Sequence, residues 1–325
     1  MAEMTYREAI SKGLREALET DERVFLMGED IGAYGGAYAV TRGFLKEFGP
    51  RRIKDTPISE SVVVGAGIGA AMAGLKPVVE LMTINFSLLA MDQIVNNAAK
   101  LRYMSGGQLK VPLIIRTVTG GGAQLAATHS QSLEGWYASV PGLKVAVPST
   151  PYDALGLLRA AFEDENPILF AEHALLYGLR GDVPAERYTV PLGQADIKRF
   201  GKDVTLVAYS RMTHVALRAA EELAREGVEA EVVDLRTLRP LDKERIIQSV
   251  KKTSRCLVIE ETWRTGGFGA EVASMIQEEA FDYLDGPVAR LGGADAPMPY
   301  SRSLEMAAIP DEKKIIRTLK EVVGI

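Results

Sequence analysis

Residues 55–74, DTPISESVVVGAGIGAAMAG, set one carboxylate, Glu60, in front of a run made only of small and apolar residues. Two readings compete for this stretch. In the first, the three valines are a short strand and Gly65, Gly67 and Ala70 form a dinucleotide fingerprint, with Glu80 ending the next strand. That acid comes 15 residues after the first glycine, where about 20 is usual. The valines, squeezed between a Pro-Ile-Ser-Glu turn and a glycine, also make a poor strand. In the second reading Ser61–Gly74 is a helix whose Gly65, Gly69 and Ala73 recur every fourth residue, a ridge that lets another helix approach closely. Glycine in a helix costs up to about 1 kcal/mol, which only close packing offsets. The helical reading is the better one.

Outward from that helix, short β-branched runs alternate with longer helical stretches, the pattern of a parallel sheet covered by helices. MTYREAISKGLREALETD is an amphipathic helix with Ile10, Leu14 and Leu18 on one stripe. RVFLMGED, KPVVELM, VPLIIRTV, LKVAVPS and NPILFAEH read as strands, and MDQIVNNAAKLRYMSG and PYDALGLLRAAFEDE as helices, the latter opened by proline. A first α/β unit closes at residue 178. Residues 179–201 are polar and turn-rich without sustained period, and read as a linker. The second unit, 202–325, runs through strands DVTLVAYS, VEAEVVDL, RCLVIEE and PVARLGG and helices THVALRAAEELAREG, DKERIIQSVKKT, GAEVASMIQEEAFDYL and DEKKIIRTLKEVV. The fold class is α/β, two doubly wound domains. No period of 20–50 residues recurs, so the chain is not a solenoid.

Composition narrows the function. At 325 residues the chain exceeds what one core usually supports, so two domains are expected. Lys plus Arg total 38 against 43 Asp plus Glu, scattered along the chain without a basic run, so nucleic acid is not an expected partner. The longest uncharged apolar run, Val62–Leu75, falls short of the roughly 20 residues that span a bilayer. The N-terminus lacks a secretory apolar core. A soluble, intracellular protein is expected. The single cysteine, Cys256, lies in a strand-like run and reads as an inert core thiol. His129, His173 and His214 are far apart with no paired ligand spacing, which argues against structural zinc.

The spacing of Glu60, Gly65-Ala66 and Gly69-Ala70 resembles a motif of thiamine-diphosphate enzymes, in which an acid precedes a glycine-rich helix at a subunit interface. LMGEDIG, DTPISE, DQIVNNAAKLRYMSGG, THSQSLEGWYASVPGLKVAVPSTPYDALGLL, NPILFAEHALLYG and VVDLRTLRPLD resemble, essentially end to end, the β subunit of the decarboxylating component of 2-oxo acid dehydrogenase complexes. The resemblance implies a transketolase-like pyrimidine-binding domain over 1–178 and a transketolase C-terminal-like domain over 202–325. It also implies thiamine diphosphate shared with an α subunit in a heterotetramer of two α and two β chains. Mg²⁺ would be held by the α subunit, since neither GGADAP nor VNNAAK has the companion segment that a diphosphate site needs. A lipoyl-bearing acyltransferase component would take the acyl group. The compartment would be the cytoplasm, or a mitochondrial or plastid matrix.

The same resemblance distributes roles. Glu60 is implied as the carboxylate that hydrogen-bonds the aminopyrimidine N1′ and so makes the ring's own nitrogen a base toward thiazolium C2. By position alone it is equally a helix-start acid favoured by the dipole. Met82 and Phe86, in ELMTINFS, are implied as an apolar shelf with Phe86 stacked on the ring and Ile58 supporting it; by type alone Met82 and Phe86 are core residues. His129, in ATHSQSLEGWY, is implied to move protons during acyl transfer to the lipoyl disulfide; its alternative is a structural hydrogen bond. Some relatives carry a structural K⁺, which transfers here to Leu113, Ala161, Phe162, Asp164 and Asn166, at a helix end with free carbonyls; a capped terminus is the alternative. His173 and His214 are assigned to structure. The turn GGFG in EETWRTGGFGAEV suggests an anion site by itself, whereas the resemblance makes the second domain an assembly and docking unit. Pyruvate is the expected substrate, ahead of acetoin or a branched-chain 2-oxo acid. An NAD-binding oxidoreductase and a non-catalytic scaffold are the readings from other classes.

Overall fold

The glycine-rich stretch is helical from Glu60 to Met72 in the computed structural model, which describes residues 2–323. The three valines are therefore not a strand, and the glycines lie inside a helix rather than in a strand-to-helix turn. That removes the dinucleotide fingerprint. The helix is shorter than Ser61–Gly74 because Ala73 caps it and Gly74 adopts φ of 92°, the left-handed conformation that ends a helix.

Two units divide the chain, one of residues 1–119 and 136–192 and the other of 120–135 and 193–325. In chain order the first contains β1 (Ala2–Thr5), α1 (Tyr6–Thr20), β2 (Val24–Gly28), α2 (Phe44–Phe48), β3 (Ile53–Asp55), α3 (Glu60–Met72), β4 (Lys76–Leu81), α4 (Ala99–Met104) and β5 (Ile114–Thr119). After the short α5 (Glu134–Ala138) come β6 (Lys144–Ala146), α6 (Pro151–Glu163), β7 (Ile168–His173) and β8 (Arg180–Val183). Six parallel strands lie in the order β6, β7, β5, β4, β2, β3. Of these, β2, β5 and β7 are buried along their whole length, which is why they read as largely apolar runs. Thr5 opens α1 with a reciprocal capping box to Glu8. The expected stripe of Ile10, Leu14 and Leu18 is buried, and α1 packs on α6 over one core. On α3, Gly67 is the close approach: a Cβ there would lie 2.7 Å from Val79 Cγ1 and 3.1 Å from Leu113 Cδ1.

The second unit contains β9 (Asp196–Arg199), β10 (Val204–Ala208), α7 (Arg211–Arg225), β11 (Ala230–Asp234), β12 (Thr237–Arg239), α8 (Lys243–Thr253), β13 (Cys256–Trp263), α9 (Phe268–Ala280), β14 (Ala289–Gly293), α10 (Arg302–Ala308) and α11 (Glu312–Thr318). Its sheet runs β14, β13, β10, β11, β9, parallel except for β9, which pairs antiparallel with β11. The apolar face of α7, from Met212 to Leu223, packs on this sheet.

Several short elements are absent from the sequence reading. The segment read as a linker contributes a strand at each end, β8 paired with β1 and β9 paired with β11. Both are half-exposed edge strands, so they lack the apolar alternation that marks a strand in sequence. The helix α10, one turn after a proline-rich stretch, was not anticipated because it is only 7 residues long. Among the described residues no helix is long and apolar enough to cross a membrane.

Candidate active site

Glu60 is the first residue of α3, and its Ser59 cap makes no side-chain hydrogen bond. The residue is 5 % exposed, yet among the described residues no hydrogen bond or ion pair engages its carboxylate. A recessed acid at a helix start, without a partner among the described residues, is available to a ligand. Glu29, just past the end of β2, feels it: burial, then the charges of Glu60 and Asp30, hold the Glu29 carboxyl above the ordinary glutamate range. Glu29 went unread in the sequence, although its place after a parallel strand, where sites of open α/β sheets gather, was a usable signal.

Met82 and Phe86 are both partly buried, so neither is an ordinary core residue. Met82 follows β4, and Phe86 opens a 3₁₀ turn, Phe86–Ala90; both segments pack on α3. Ile58, in the turn before Glu60, is 80 % exposed. The apolar surface continues through Val62 on α3 and through Leu88 and Leu89 on the turn, all exposed. Of the small-residue ridge, Gly65 lies near the Gln93 side chain, and a Cβ on Gly69 would meet nothing within 4 Å. The helix is thus apolar on all sides while one side has no cover from the described residues, a pattern that marks a contact surface.

The cation residues lie elsewhere in this unit, at the end of α6 and the entry to β5. Here the donor set fits potassium poorly. The Phe162 carbonyl accepts from Lys76 Nζ at 3.0 Å, the Leu113 carbonyl from Ile168 N at 2.9 Å, and the Ala161 carbonyl from Asp164 N at 3.3 Å. The Asp164 carboxylate is paired with Lys144 and accepts from Asn166. Burial opposes ionisation of Asp164, but the bonds from Lys144 and Asn166 prevail and hold its carboxyl below the ordinary range. Two ammonium groups thus supply positive charge beside these carbonyls.

His129 belongs to the second unit, on the exposed part of the loop 120–135. Its Nδ1 lies 2.9 Å from Thr128 Oγ1, and its backbone N donates to the Ala126 carbonyl at 3.3 Å. His173 is buried at the end of β7, where Nδ1 accepts from Leu175 N, and His214 lies within α7; both fit structural roles. Cys256 is buried in β13 and its thiol is pushed up by burial, so it is inert. In the GGFG turn Gly267 and Gly269 lie against Glu260, whose carboxylate accepts from Gly269 N at 2.8 Å. The chain's own acid thus occupies the start of α9, and no anion site is left there.

The family "Transketolase, pyrimidine binding domain" matches residues 2–179, and "Transketolase, C-terminal domain" matches 193–315. The chain is 50 % identical over 322 residues to the pyruvate dehydrogenase E1 component subunit beta-1, mitochondrial, of Arabidopsis thaliana, covering 98 % of this chain and 89 % of that one. It is 47 % identical over 320 residues to the pyruvate dehydrogenase E1 component subunit beta of Rickettsia felis (strain ATCC VR-1525 / URRWXCal2), covering 98 % of each. A solved split gene transketolase, described as an inactive beta4 tetramer, superposes with a TM-score of 0.81 at 24 % identity, covering 99 % of this chain and 98 % of that one. Both halves of the chain, and nearly its whole length, are thereby assigned: it belongs to the family of pyruvate dehydrogenase E1 component β subunits, built from a transketolase pyrimidine-binding domain and a transketolase C-terminal domain.

Proposed function

We propose that this chain provides one half of a thiamine-diphosphate site, with Glu60 as the carboxylate that binds the aminopyrimidine, and that an α subunit provides the other half. Family membership makes the enzyme a 2-oxo acid dehydrogenase of the pyruvate type, acyl-transferring and dependent on thiamine diphosphate. The observation that carries the residue assignment is Glu60, 5 % exposed, with no partner for its carboxylate among the described residues. When bound, the cofactor supplies a nucleophilic carbon and an electron sink for decarboxylation. Glu60 would hold a proton at N1′. Ile58, Met82 and Phe86 would seat the ring and exclude water. His129 would deliver a proton to the lipoyl sulfur released when the disulfide opens during acyl transfer.

The division of labour follows from this. The unit of residues 1–119 and 136–192 would bind the pyrimidine, and that of 120–135 and 193–325 would carry His129 and serve assembly and docking. The uncovered side of α3 would press against the α chain, two α and two β chains forming the tetramer with Mg²⁺ on the α chains. A lipoyl-bearing acyltransferase would receive the acyl group, in the cytoplasm or an organelle matrix. The test is Glu60→Gln in protein reconstituted with its α chain. Pyruvate-dependent turnover should fall at least about 10²-fold, the scale of a lost general acid–base function, with the melting temperature held or raised. Near-normal turnover would support a scaffold role instead. Parallel assays on pyruvate, acetoin and branched-chain 2-oxo acids name the substrate.

A further inference from the structure

The loop that carries His129 begins TGGGAQLAATHS, residues 119–130, a run with few side chains able to hold its backbone. Its amides nonetheless need acceptors. Its backbone is also strained: the non-glycine residues Gln124 and Ala126 have φ of 57° and 64°. Such conformations persist only where the surroundings hold them.

Two buried carboxylates of the same unit do the holding. Glu305 on α10 is 1 % exposed. Its Oε1 accepts from Gly122 N at 2.9 Å and from Gln124 N at 3.1 Å, and its Oε2 also accepts from Gln124 N at 3.1 Å. Among the described residues this carboxylate has no cation and no other partner. Glu261 on β13 accepts from Gly121 N at 2.6 Å and from Arg211 Nη1 at 3.3 Å. The seat is tight as well, since a Cβ on Gly121 would lie 3.1 Å from Met298 Cε and 3.2 Å from Ile309 Cδ1. Beyond the clamp, Ala126 turns the chain and its carbonyl receives His129 N. A buried acid bonded only to backbone amides adds nothing to packing that a leucine would not supply; its effect is to set a loop.

We infer that Glu305, seconded by Glu261, is a positioning residue for His129: the carboxylates clamp residues 121–124 and thereby place the imidazole for proton delivery in acyl transfer. The inference rests on the role proposed above for His129. It is tested in the assembled α–β protein by separating two half-reactions, pyruvate-dependent reduction of ferricyanide, which needs no lipoyl group, and acetylation of an added lipoyl domain. Glu305→Ala should slow lipoyl acetylation about tenfold or more, as misplacement of a reacting group does, while ferricyanide reduction stays within about threefold. Amide hydrogen exchange over 120–131 should rise. Glu305→Gln should restore most of the acetylation, because its amide oxygen still accepts from both amides. In a His129→Gln background Glu305→Ala should add no further loss. Unchanged exchange in the loop overturns the clamp; losses that multiply in the double variant overturn action through His129. If His129→Gln alone leaves acetylation intact, the histidine's role falls and the positioning claim with it, even where loop exchange rises. Should Glu305→Ala fail to assemble, Glu305→Asp, which withdraws the carboxylate by one methylene, carries the same outcomes.

Discussion

Glu29 and Glu60 are acids of one unit that oppose each other's charge, and this has a measurable sign. Because the Glu29 carboxyl is held above the ordinary range, chiefly by burial and then by Glu60, its ionisation is less favourable folded than unfolded. Its stabilising contribution is complete below the ordinary glutamate pKa and is lost as pH rises through the raised value. Glu29→Gln should therefore match the wild type near the acid end and melt at a higher temperature at neutral pH. Thermal scans across about pH 4 to 8 check this, and a difference independent of pH would sink it. A second buried group makes a larger prediction. Arg116 on β5 is 2 % exposed, ion-paired to Glu80 on β4 and Glu172 on β7, and Tyr177 donates to Glu172 at 2.6 Å. Arg116→Met would leave both acids buried without their cation and cost about 3–5 kcal/mol, readable by urea unfolding. At this scale Glu60 was legible because an acid before an all-small helix is odd in itself. Glu29, Arg116 and Glu305 were not, since each is an ordinary charge until a distant strand or loop is laid against it.

Among elements, α3 carries two glycines with opposite uses. Gly67 faces β4 at contact distance, so Gly67→Ala overpacks the core and should cost about 1–3 kcal/mol. Gly69 faces open space, so Gly69→Ala should stabilise the chain alone by up to about 1 kcal/mol through helix propensity. It should also weaken association with the α chain, because the added methyl stands on the uncovered ridge. Urea melts of the β chain and sedimentation of the α–β mixture read the two effects separately; equal behaviour of the two variants would refute the assignment of faces. The end of α6 makes a different test. With Lys76 on the Phe162 carbonyl and Lys144 on Asp164, replacing KCl by NaCl at equal ionic strength should leave the melting temperature unchanged, whereas a potassium-specific shift would restore the cation site. Helices and inner strands were readable because their burial periods are regular; β8, β9 and α10 were not, since edge strands and short helices bury too little to leave a pattern.

For the whole molecule, each unit closes its own core, one over the β6–β3 sheet and one over the β14–β9 sheet. A foldable chain with an incomplete site should be inert by itself. The isolated protein, given thiamine diphosphate and Mg²⁺, should show no pyruvate-dependent ferricyanide reduction, and activity should appear on titration with the α chain and saturate at equal stoichiometry. Turnover by the β chain alone would contradict the shared site. The sequence by itself determined the fold class, the place of the glycine-rich helix and the candidacy of Glu60, because hydrophobic period, proline and glycine placement, and an isolated acid are local signals. Only the tertiary structure decided that Glu60 is recessed with no partner among the described residues, that Lys76 and Lys144 stand where a cation was expected, and that Glu305 reaches Gln124 across 181 residues. Those facts depend on strand order and loop path, which bring together groups whose individual sequence surroundings are unremarkable, and no local pattern encodes which of them will meet.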